Sequence, residues 1–599
     1  MSMSIALLLS LVASVLFLTL YGAGIYAWSV LLVATVLSIM TWLAYRQGRP
    51  STSNSETQTP LYPLVHVALI GFVILTLLPL PKALSIVTGS RRYQQNSAIV
   101  EVLKTAENLE LCDDSLRLFS TSRNRAGSLR VLLLLAVMFC AFEAVRFLSP
   151  AHRIVYLHIL IAIGITVAVL GYVSTAVFPQ GNKLWWLFPV PPFHRQPVGS
   201  FLNANHYAGF VAMLGATALG ATMLHLRRRR WFWAAATTLA ALTMAIFVVL
   251  SASRGAILAF TAGLGAVAIA LLCHLKGRIR LVGIITIAIA AILAAGMVFQ
   301  NDTVRTRLST LRHPITDTSL QPRLSAWKGA LKMWTYYPLE GVGANAFRFT
   351  YPQHKDASNR AFRRFAENEF IHILCEGGLI GILLTVTFLA SIVNSLRRSL
   401  QSPTEEENAS CSVGRLGQMG GLAICSVAAI TVGAVHASVD FILHLPLYAI
   451  TLASLAALGV RYTTSTKRHR IAIATTAIVT ICLIPTIGPM THYDASAYMA
   501  TRSFDKLATL LTWAPTNSQL WRRFGAMAVQ QKTEPSLALA ERCLERAAQY
   551  DPCDFNIWTQ LGKLRLERGD KAAAREAFAR ATAIRSWAPV PKIPPDHED

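Results

Sequence analysis

Apolar residues in this chain fall into long unbroken runs separated by short polar stretches. Runs of spanning length begin near residues 4, 25, 61, 130, 154, 206, 231, 255, 280, 370, 418, 443 and 470. Each approaches the ~20 residues that a bilayer-crossing helix requires. The pattern predicts an all-α, polytopic membrane helix bundle over residues 1–490 with about thirteen transmembrane helices. The first run, from Ser4 to Leu20, lacks a basic segment in front of it, so it reads as a retained helix rather than a cleaved signal.

After about residue 490 the pattern becomes that of a soluble helical-repeat domain, 491–599. A period of about 34 residues runs through it, as in tetratricopeptide repeats. Trp558, Leu561, Gly562, Ala574, Phe578 and Ala581 align, one period back, with Phe524, Met527, Ala528, Ala540, Leu544 and Ala547. The segment 493–514 reads as a further helix pair. Such repeats offer a docking surface for a protein partner.

Composition agrees with this division. The 599 residues are 53% hydrophobic and only 14% charged, where a soluble domain carries about a quarter. The net charge of +24 does not indicate nucleic acid, because the basic residues sit mostly in loops between apolar runs. An excess of this sign favours anionic membrane lipids or a pyrophosphate-bearing substrate. The nine cysteines form no CxxC pair, so they indicate neither a metal site nor a disulfide framework. Whether Cys543 and Cys553 pair is left open by spacing.

Four basic loops set the direction of threading: 227–230, 276–280, 397–398 and 467–470. Placing all four in the cytoplasm is mutually consistent and puts the N-terminus inside and the C-terminal domain outside. The outer segments are then about 82–129, 178–205 and a large loop at 300–368. The first carries Arg91, Arg92, Arg117, Arg123 and Arg125, in tension with that rule, and its pattern supports no helix pair.

Candidate chemistry gathers on the outer side. In Ala366–Gly381 a helix opens on Glu367, Asn368 and Glu369, and acids at the mouth of a membrane helix are costly unless they serve a purpose. Asn203, Asn205 and His206 stand at the start of another helix, where Asn203 is a candidate cap. Ser251–Gly255 is a tight apolar hairpin carrying Arg254, either an interfacial side chain reaching water or an anion clamp. Arg323, Trp327 and Trp334 share a face of an amphipathic helix that reads as lying at headgroup level. It is followed by the glycine-bearing turn Pro338–Gly343. His436 and Asp440, four residues apart, read as a buried polar pair that fixes helix packing.

The order of these segments, "FLNANHYAGF", "SASRGA", "RLSAWKGALKMW…P…GVG" and "ENEFIHILCEGGLIG", resembles the O-antigen ligase and polymerase superfamily over roughly residues 195–460. The resemblance implies a membrane glycosyltransferase of the bacterial inner membrane. It would move a glycan from a polyprenyl-pyrophosphate carrier to an acceptor (lipid, glycan or protein) at the outer face. The family's two arginines map to Arg254 and Arg323. Its usual His before Asn is here Glu367, followed by Asn368, a departure that bears on the catalytic base. His372 lies five residues on and does not replace it. Glycosyl transfer needs the leaving group neutralised and a base for the incoming hydroxyl. Arg254 and Arg323 suit the first task by their planar forks, and Glu367 suits the second. Asn203, Asn205, His206, Asn368, His436 and Asp440 are expected to bind substrate. No acidic pair of metal-binding character stands out, so neither metal nor cofactor is expected. Three other readings remain: a small-anion transporter, a protein O-glycosylating enzyme, and a non-catalytic envelope scaffold.

Overall fold

The computed structural model describes residues 3–20, 27–47, 60–78, 100–111, 122–177, 183–184, 188–189, 198–274, 277–300, 306, 320–355, 363–401, 418–461, 467–484, 503–584 and 589–591. The bundle comprises α1 (Met3–Leu20), α2 (Ala27–Gln47), α3 (Tyr62–Leu77), α4 (Arg125–Phe147), α5 (Pro150–Val177), α6 (Ala204–Arg227), α7 (Trp231–Leu250), α8 (Arg254–His274), α9 (Gly277–Gln300), α10 (Gln321–Tyr336), α11 (Glu369–Gln401), α12 (Gln418–Ala437), α13 (Pro446–Ala457) and α14 (Lys467–Leu483). Every apolar run read from the sequence is helical. Among the described residues nine helices combine the length and the apolarity of a membrane span, and α3 and α13 are shorter apolar helices. The protein is therefore a polytopic, all-α membrane protein. A two-residue antiparallel strand pair, Lys183–Leu184 with Phe188–Pro189, is a minor addition.

Helix α6 is the centre of the bundle. His206 to Leu226 are all buried, and an all-round apolar helix of this kind can only be a core helix or a fully surrounded span. It packs against α5, α7, α8 and α12.

The two ends of the bundle differ in chemistry. At one end lie the basic loops, tied together by buried arginines. Arg153 Nη1 donates to the carbonyls of Leu458 (2.8 Å) and Val460 (2.7 Å), and its Nε donates to that of Leu148 (3.1 Å). Arg146 pairs with Glu143 at 2.8 Å with neither side chain exposed, and Tyr45 donates to the same carboxylate. Ser4 Oγ meets His152 Nδ1 (2.8 Å), and Arg228 Nη2 donates to Gln418 Oε1 (2.7 Å). These charges are tolerated because each is paired or bonded to helix-end carbonyls. At the opposite end lie the start of α6, the start of α8, the end of α12 and the start of α11.

Helix α11 is broken at Gly378 (φ 61°, ψ −161°), and the turn after α10 fits into the break. Val342 N donates to Cys375 O (3.0 Å) and Gly343 N to Glu376 O (2.9 Å). In return Leu379 N donates to Pro338 O (2.9 Å) and Ile380 N to Leu339 O (3.0 Å). The backbone groups freed by the break are thus satisfied. Gly341 (φ 67°) lies directly over Glu376, and a Cβ there would overlap that residue's carbonyl. A Cβ on Gly378 would overlap the carbonyl of Leu339. Helix α10 is amphipathic as expected, and its small face of Ala326, Gly329, Ala330 and Met333 is buried. Cys375 Sγ donates to Ala330 O (3.0 Å), so α10 is docked on α11 as well as being a surface helix.

The C-terminal domain consists of α15 (Phe504–Trp513) and two helical hairpins, α16 (Ser518–Val529) with α17 (Glu534–Tyr550) and α18 (Phe555–Glu567) with α19 (Lys571–Ile584). Of the pair expected at 493–514, α15 is one helix, and 493–502 lies outside the described residues. In the second helices the buried positions Ala540, Cys543, Leu544 and Ala547 match Ala574, Ala577, Phe578 and Ala581, in the 34-residue register read from the sequence. The first helices do not keep that register. Trp521 and Trp558 each donate Nε1 to a proline carbonyl six residues back, Pro515 (2.9 Å) and Pro552 (2.8 Å). Gly525 and Gly562 each meet the facing helix, so the match is 37 residues. Helix α17 begins about one turn earlier than its counterpart, which absorbs the difference.

This domain rests on the end of the bundle opposite the basic loops. Its core includes Val102, Leu103, Ala106 and Ala126. Residues 100–108 are helical, a short helix in a segment where the pattern supported no helix pair. Lys355 Nζ pairs with Asp551 at 3.3 Å, and Thr350 Oγ1 meets Thr516 Oγ1 at 3.4 Å.

The Gly378→Ala substitution should destabilise the protein by about 1–3 kcal/mol through backbone conformation alone, and by more from the overlap with Leu339. Thermal unfolding in detergent will measure it, and an unchanged midpoint would show that the break relaxes freely.

Candidate functional site

Glu367 stands just before α11 in a left-handed conformation (φ 55°), which costs a non-glycine residue energy. The reason lies in its partners. Arg323 Nε donates to Oε2 at 2.7 Å, and Arg363 Nη1 donates to Oε1 at 2.7 Å. Both carboxylate oxygens are therefore held by guanidiniums, one from α10 and one from the segment before α11. The cluster is accessible: the side chains of Arg323 and Glu367 are 24% and 27% exposed. Asn368 caps α11 by accepting from Ile371 N (3.0 Å), and its Nδ2 donates to Ser438 O (2.8 Å). That bond ties the mouth of α11 to the turn after α12.

The turn after α12 carries the second polar group. Asp440 Oδ1 lies 3.2 Å from His206 Nε2 and accepts from Phe441 N (2.8 Å). His436 Nε2 is 3.9 Å from Oδ2. Helix α12 ends at Ala437, so the spacing of His436 and Asp440 is not a helical one, and the closer partner of Asp440 is His206 on α6. The pair becomes a trio that joins α6 to α12, a packing role of the kind read from the sequence. His436 fits because Gly209 leaves room for its ring. Asp440 lies outside the spanning helices. Burial would raise its pKa, but His206 and then His436 outweigh burial and bring it down to about 2.

Arg254 opens α8 after the tight turn 251–253, where Ser253 O and Oγ receive the first helix amides. The next residue, Gly255, comes so close to the turn after α12 that a Cβ would lie 2.9 Å from Val439 Cγ2 and 3.5 Å from His436 Cδ2. Arg254, Arg323, Glu367, Asn368, His206, His436 and Asp440 thus belong to one end of the bundle and to adjoining elements. Asn203 caps α6 by accepting from Asn205 N (3.0 Å), as its position predicts.

Arg363, Glu376 and His444 have no role in the sequence reading, and Glu369 and His372 appear there without the partners that the structure gives them. Arg363 shares Glu367 with Arg323. Glu376 accepts from Asn345 N (2.6 Å) and Phe347 N (2.9 Å). Glu369 accepts from Leu443 N (2.6 Å) and pairs with His444 Nδ1 at 3.2 Å. His372, Glu376 and His444 offer donor atoms within 4.8 Å of one another. The spacing of Glu369, His372 and Glu376 on one helix was a usable signal, but their partner His444 comes from a distant segment.

Asp440 predicts a pH signature. A carboxylate whose folded pKa is depressed stabilises the protein above the unfolded value, near 3.9, and loses that contribution as pH falls through the folded value. Asp440→Asn should therefore be less stable than the parent above about pH 4, by up to ~2 kcal/mol. The difference should hold down to about pH 4 and shrink between about pH 4 and pH 2. Parallel unfolding series across pH will test it, and a pH-independent difference would remove charge as the cause.

No curated protein matches this chain. Residues 239–386 match the family model described as O-Antigen ligase, a narrower stretch than the segments quoted above. It runs from within α7 to just past the break in α11 and includes Arg254, Arg323 and Glu367. The chain thus carries an O-antigen ligase domain, and the paired arginines and Glu367 lie inside it.

Proposed function

We propose that the protein is a membrane glycosyltransferase of the O-antigen ligase or polymerase type. It moves a glycan from a polyprenyl-pyrophosphate carrier to an acceptor at the outer face of the inner membrane. The observation that carries this reading is the Arg323–Glu367–Arg363 cluster, which is open to solvent, within the matched domain and at the end away from the basic loops. In this reading all thirteen apolar helices cross the membrane, the basic loops are cytoplasmic, and the C-terminal hairpins are tetratricopeptide-like repeats outside.

The cluster supports a defined chemistry. Arg323 and Arg363 are held on a carboxylate, the kind of anion that guanidinium forks bind as they bind phosphate. An arriving pyrophosphate competes with Glu367 for these forks, with Arg254 as a third cation. Once an arginine turns to phosphate, a Glu367 oxygen is free to take the acceptor's proton. The acceptor oxygen then bonds to the anomeric carbon, the bond from that carbon to phosphate breaks, and the lipid pyrophosphate leaves with the electron pair, stabilised by the arginines. Asn368, His206, His436, Asp440, Asn203 and Asn205 shape the sugar and acceptor subsites. The repeat domain touches the loop after α10 through Lys355 and Asp551, which favours a macromolecular acceptor or partner held beside the site.

A cell-free transfer assay with a lipid-linked oligosaccharide tests the roles. Arg323→Lys and Arg254→Lys keep charge but lose the fork, and each should lose most activity while the protein still inserts. Glu367→Gln should reduce the rate by ~10²-fold or more, and Glu367→His should recover part of it. Wild-type rates in Glu367→Gln would make the carboxylate purely structural.

Topology has its own test. A reporter active only in the cytoplasm, fused after the repeat domain, should be silent. A strong signal would put the cluster on the wrong side for a glycan donor at the outer face.

A further inference from the structure

We propose that His372, Glu376 and His444 form a binding site for one divalent transition ion, zinc by preference, beside the Arg323–Glu367 cluster. His372 and Glu376 are one helical turn apart on α11, with Nε2 and Oε1 separated by 3.1 Å. His444, on the short turn Ile442–His444, closes a triangle in which every donor atom lies within 4.8 Å of the others. A four-coordinate zinc with bonds of about 2.0–2.2 Å places its ligands roughly 3.3–3.5 Å apart, so the first pair is already at ligand spacing.

Three further observations favour an ion over a simple hydrogen-bonded knot. The first is His372 Nε2, which is buried, with the side chain 2% exposed, and makes no well-aligned hydrogen bond. Close approach without alignment suits two ligands of a common ion better than a donor and its acceptor. Nδ1 of His372 takes the Ala366 amide only at a long 3.4 Å, a contact that the ring gives up when it carries its proton on Nδ1 and ligates through Nε2. The second is Glu369, which pairs with Nδ1 of His444 at 3.2 Å and leaves the other ring nitrogen for a ligand. A carboxylate behind a ligating imidazole is the usual means of fixing its tautomer and orientation. The third is charge. Glu369 and Glu376 are both buried, and a doubly positive ion balances two carboxylates in a site of low polarisability.

The surroundings hold the donors in place. Glu376 is fixed by amides from the loop after α10, Asn345 N to Oε2 and Phe347 N to Oε1. Phe365 packs against His372 (ring centroids 5.6 Å) and His444 (4.5 Å) and covers both imidazoles. The donor set selects the metal. Two imidazoles and one carboxylate suit zinc, whereas calcium and magnesium take oxygen ligands. The three protein donors leave a fourth position for water. The ion would join α11 to the turn before α13 and, through Glu376, to the loop that follows α10. Its role is to hold Arg323 and Glu367 in register, and it takes no part in the transfer itself.

The experiment uses the full-length protein in detergent, stripped with a chelator, reloaded with zinc alone and freed of excess ion. Bound zinc is counted by elemental analysis, and affinity is measured against a chromophoric chelator. The wild type should keep one zinc per chain, and His444→Ala should keep none. Glu369→Gln, which preserves shape, should bind about 10–100-fold more weakly, a graded effect that guards against a variant that merely misfolds. Cobalt(II) in place of zinc should give the visible spectrum of a four-coordinate ion in the wild type and not in His444→Ala. The proposal is overturned if the wild type keeps no zinc, or if His444→Ala and Glu369→Gln bind it as tightly as the wild type. Zinc retention is independent of transfer activity, so Arg323→Lys, expected to be inactive, should still hold the ion.

Discussion

The mutual fit of two glycine-bearing turns is the constraint on which the polar end of this protein depends. Residues 338–343 and 375–380 exchange backbone hydrogen bonds, and they approach closely only because Gly341 and Gly378 lack a Cβ. The break in α11 would otherwise leave carbonyls and amides without partners in a membrane helix, at several kcal/mol each. The loop after α10 supplies those partners, so loop and helix become one body. Arg323 lies on one side of this junction and Glu367 on the other. Their 2.7 Å contact is a consequence of the fit, because long surface side chains alone contribute little to docking.

A second layer of the same logic lies in Glu376. Its carboxylate takes amides from Asn345 and Phe347, and Asn345 is itself in a left-handed conformation (φ 56°). A buried charge of this kind is stable only when its lone pairs are engaged. It pins the loop after α10 just beyond the glycine junction, so the loop cannot slide along α11 without losing both bonds. Polar burial at the opposite end follows another plan. There Arg153 and Arg146 bind carbonyls and Glu143, which fastens helix ends together. One end of the bundle is closed by its charges, and the other presents them.

The bundle was legible in the sequence because apolar run length is a direct signal of a spanning helix. Each run became a helix, and the side-by-side order of the four motifs located the polar end. The second helices of the C-terminal hairpins were legible too, since small residues at crossing points recur at a constant spacing. The first helices were out of register by three residues because α17 begins a turn early, and repeat matching assumes equal units. The helix at 100–108 was hidden because its apolar face is covered by the C-terminal domain, a partner that lies about four hundred residues away in the chain. Arg363 lies in a polar stretch with no periodicity, so nothing in its spacing marked it as a partner of Glu367. His444 and Glu369 meet only through tertiary packing, which a single sequence does not encode in any local pattern.

The departure at Glu367 becomes intelligible in this setting. An imidazole at this position could not neutralise two guanidiniums, whereas a carboxylate accepts from both at once. With Arg363 added to Arg323, a neutral side chain would leave two cations facing each other across a half-buried gap, a destabilising arrangement. Glu367 thus stabilises the arginines in the absence of an anionic ligand, and its left-handed backbone is the strain accepted for that geometry. Any anion that displaces it must bind the forks better than a tethered carboxylate does. A pyrophosphate meets that demand, with more charge and more acceptor oxygens, while a chloride or an isolated carboxylate does not. Under the proposed function, the intramolecular ion pair acts as a threshold of selectivity. In that role it disfavours weak anions from the surrounding solution and yields to the multivalent headgroup of the proposed lipid-linked donor.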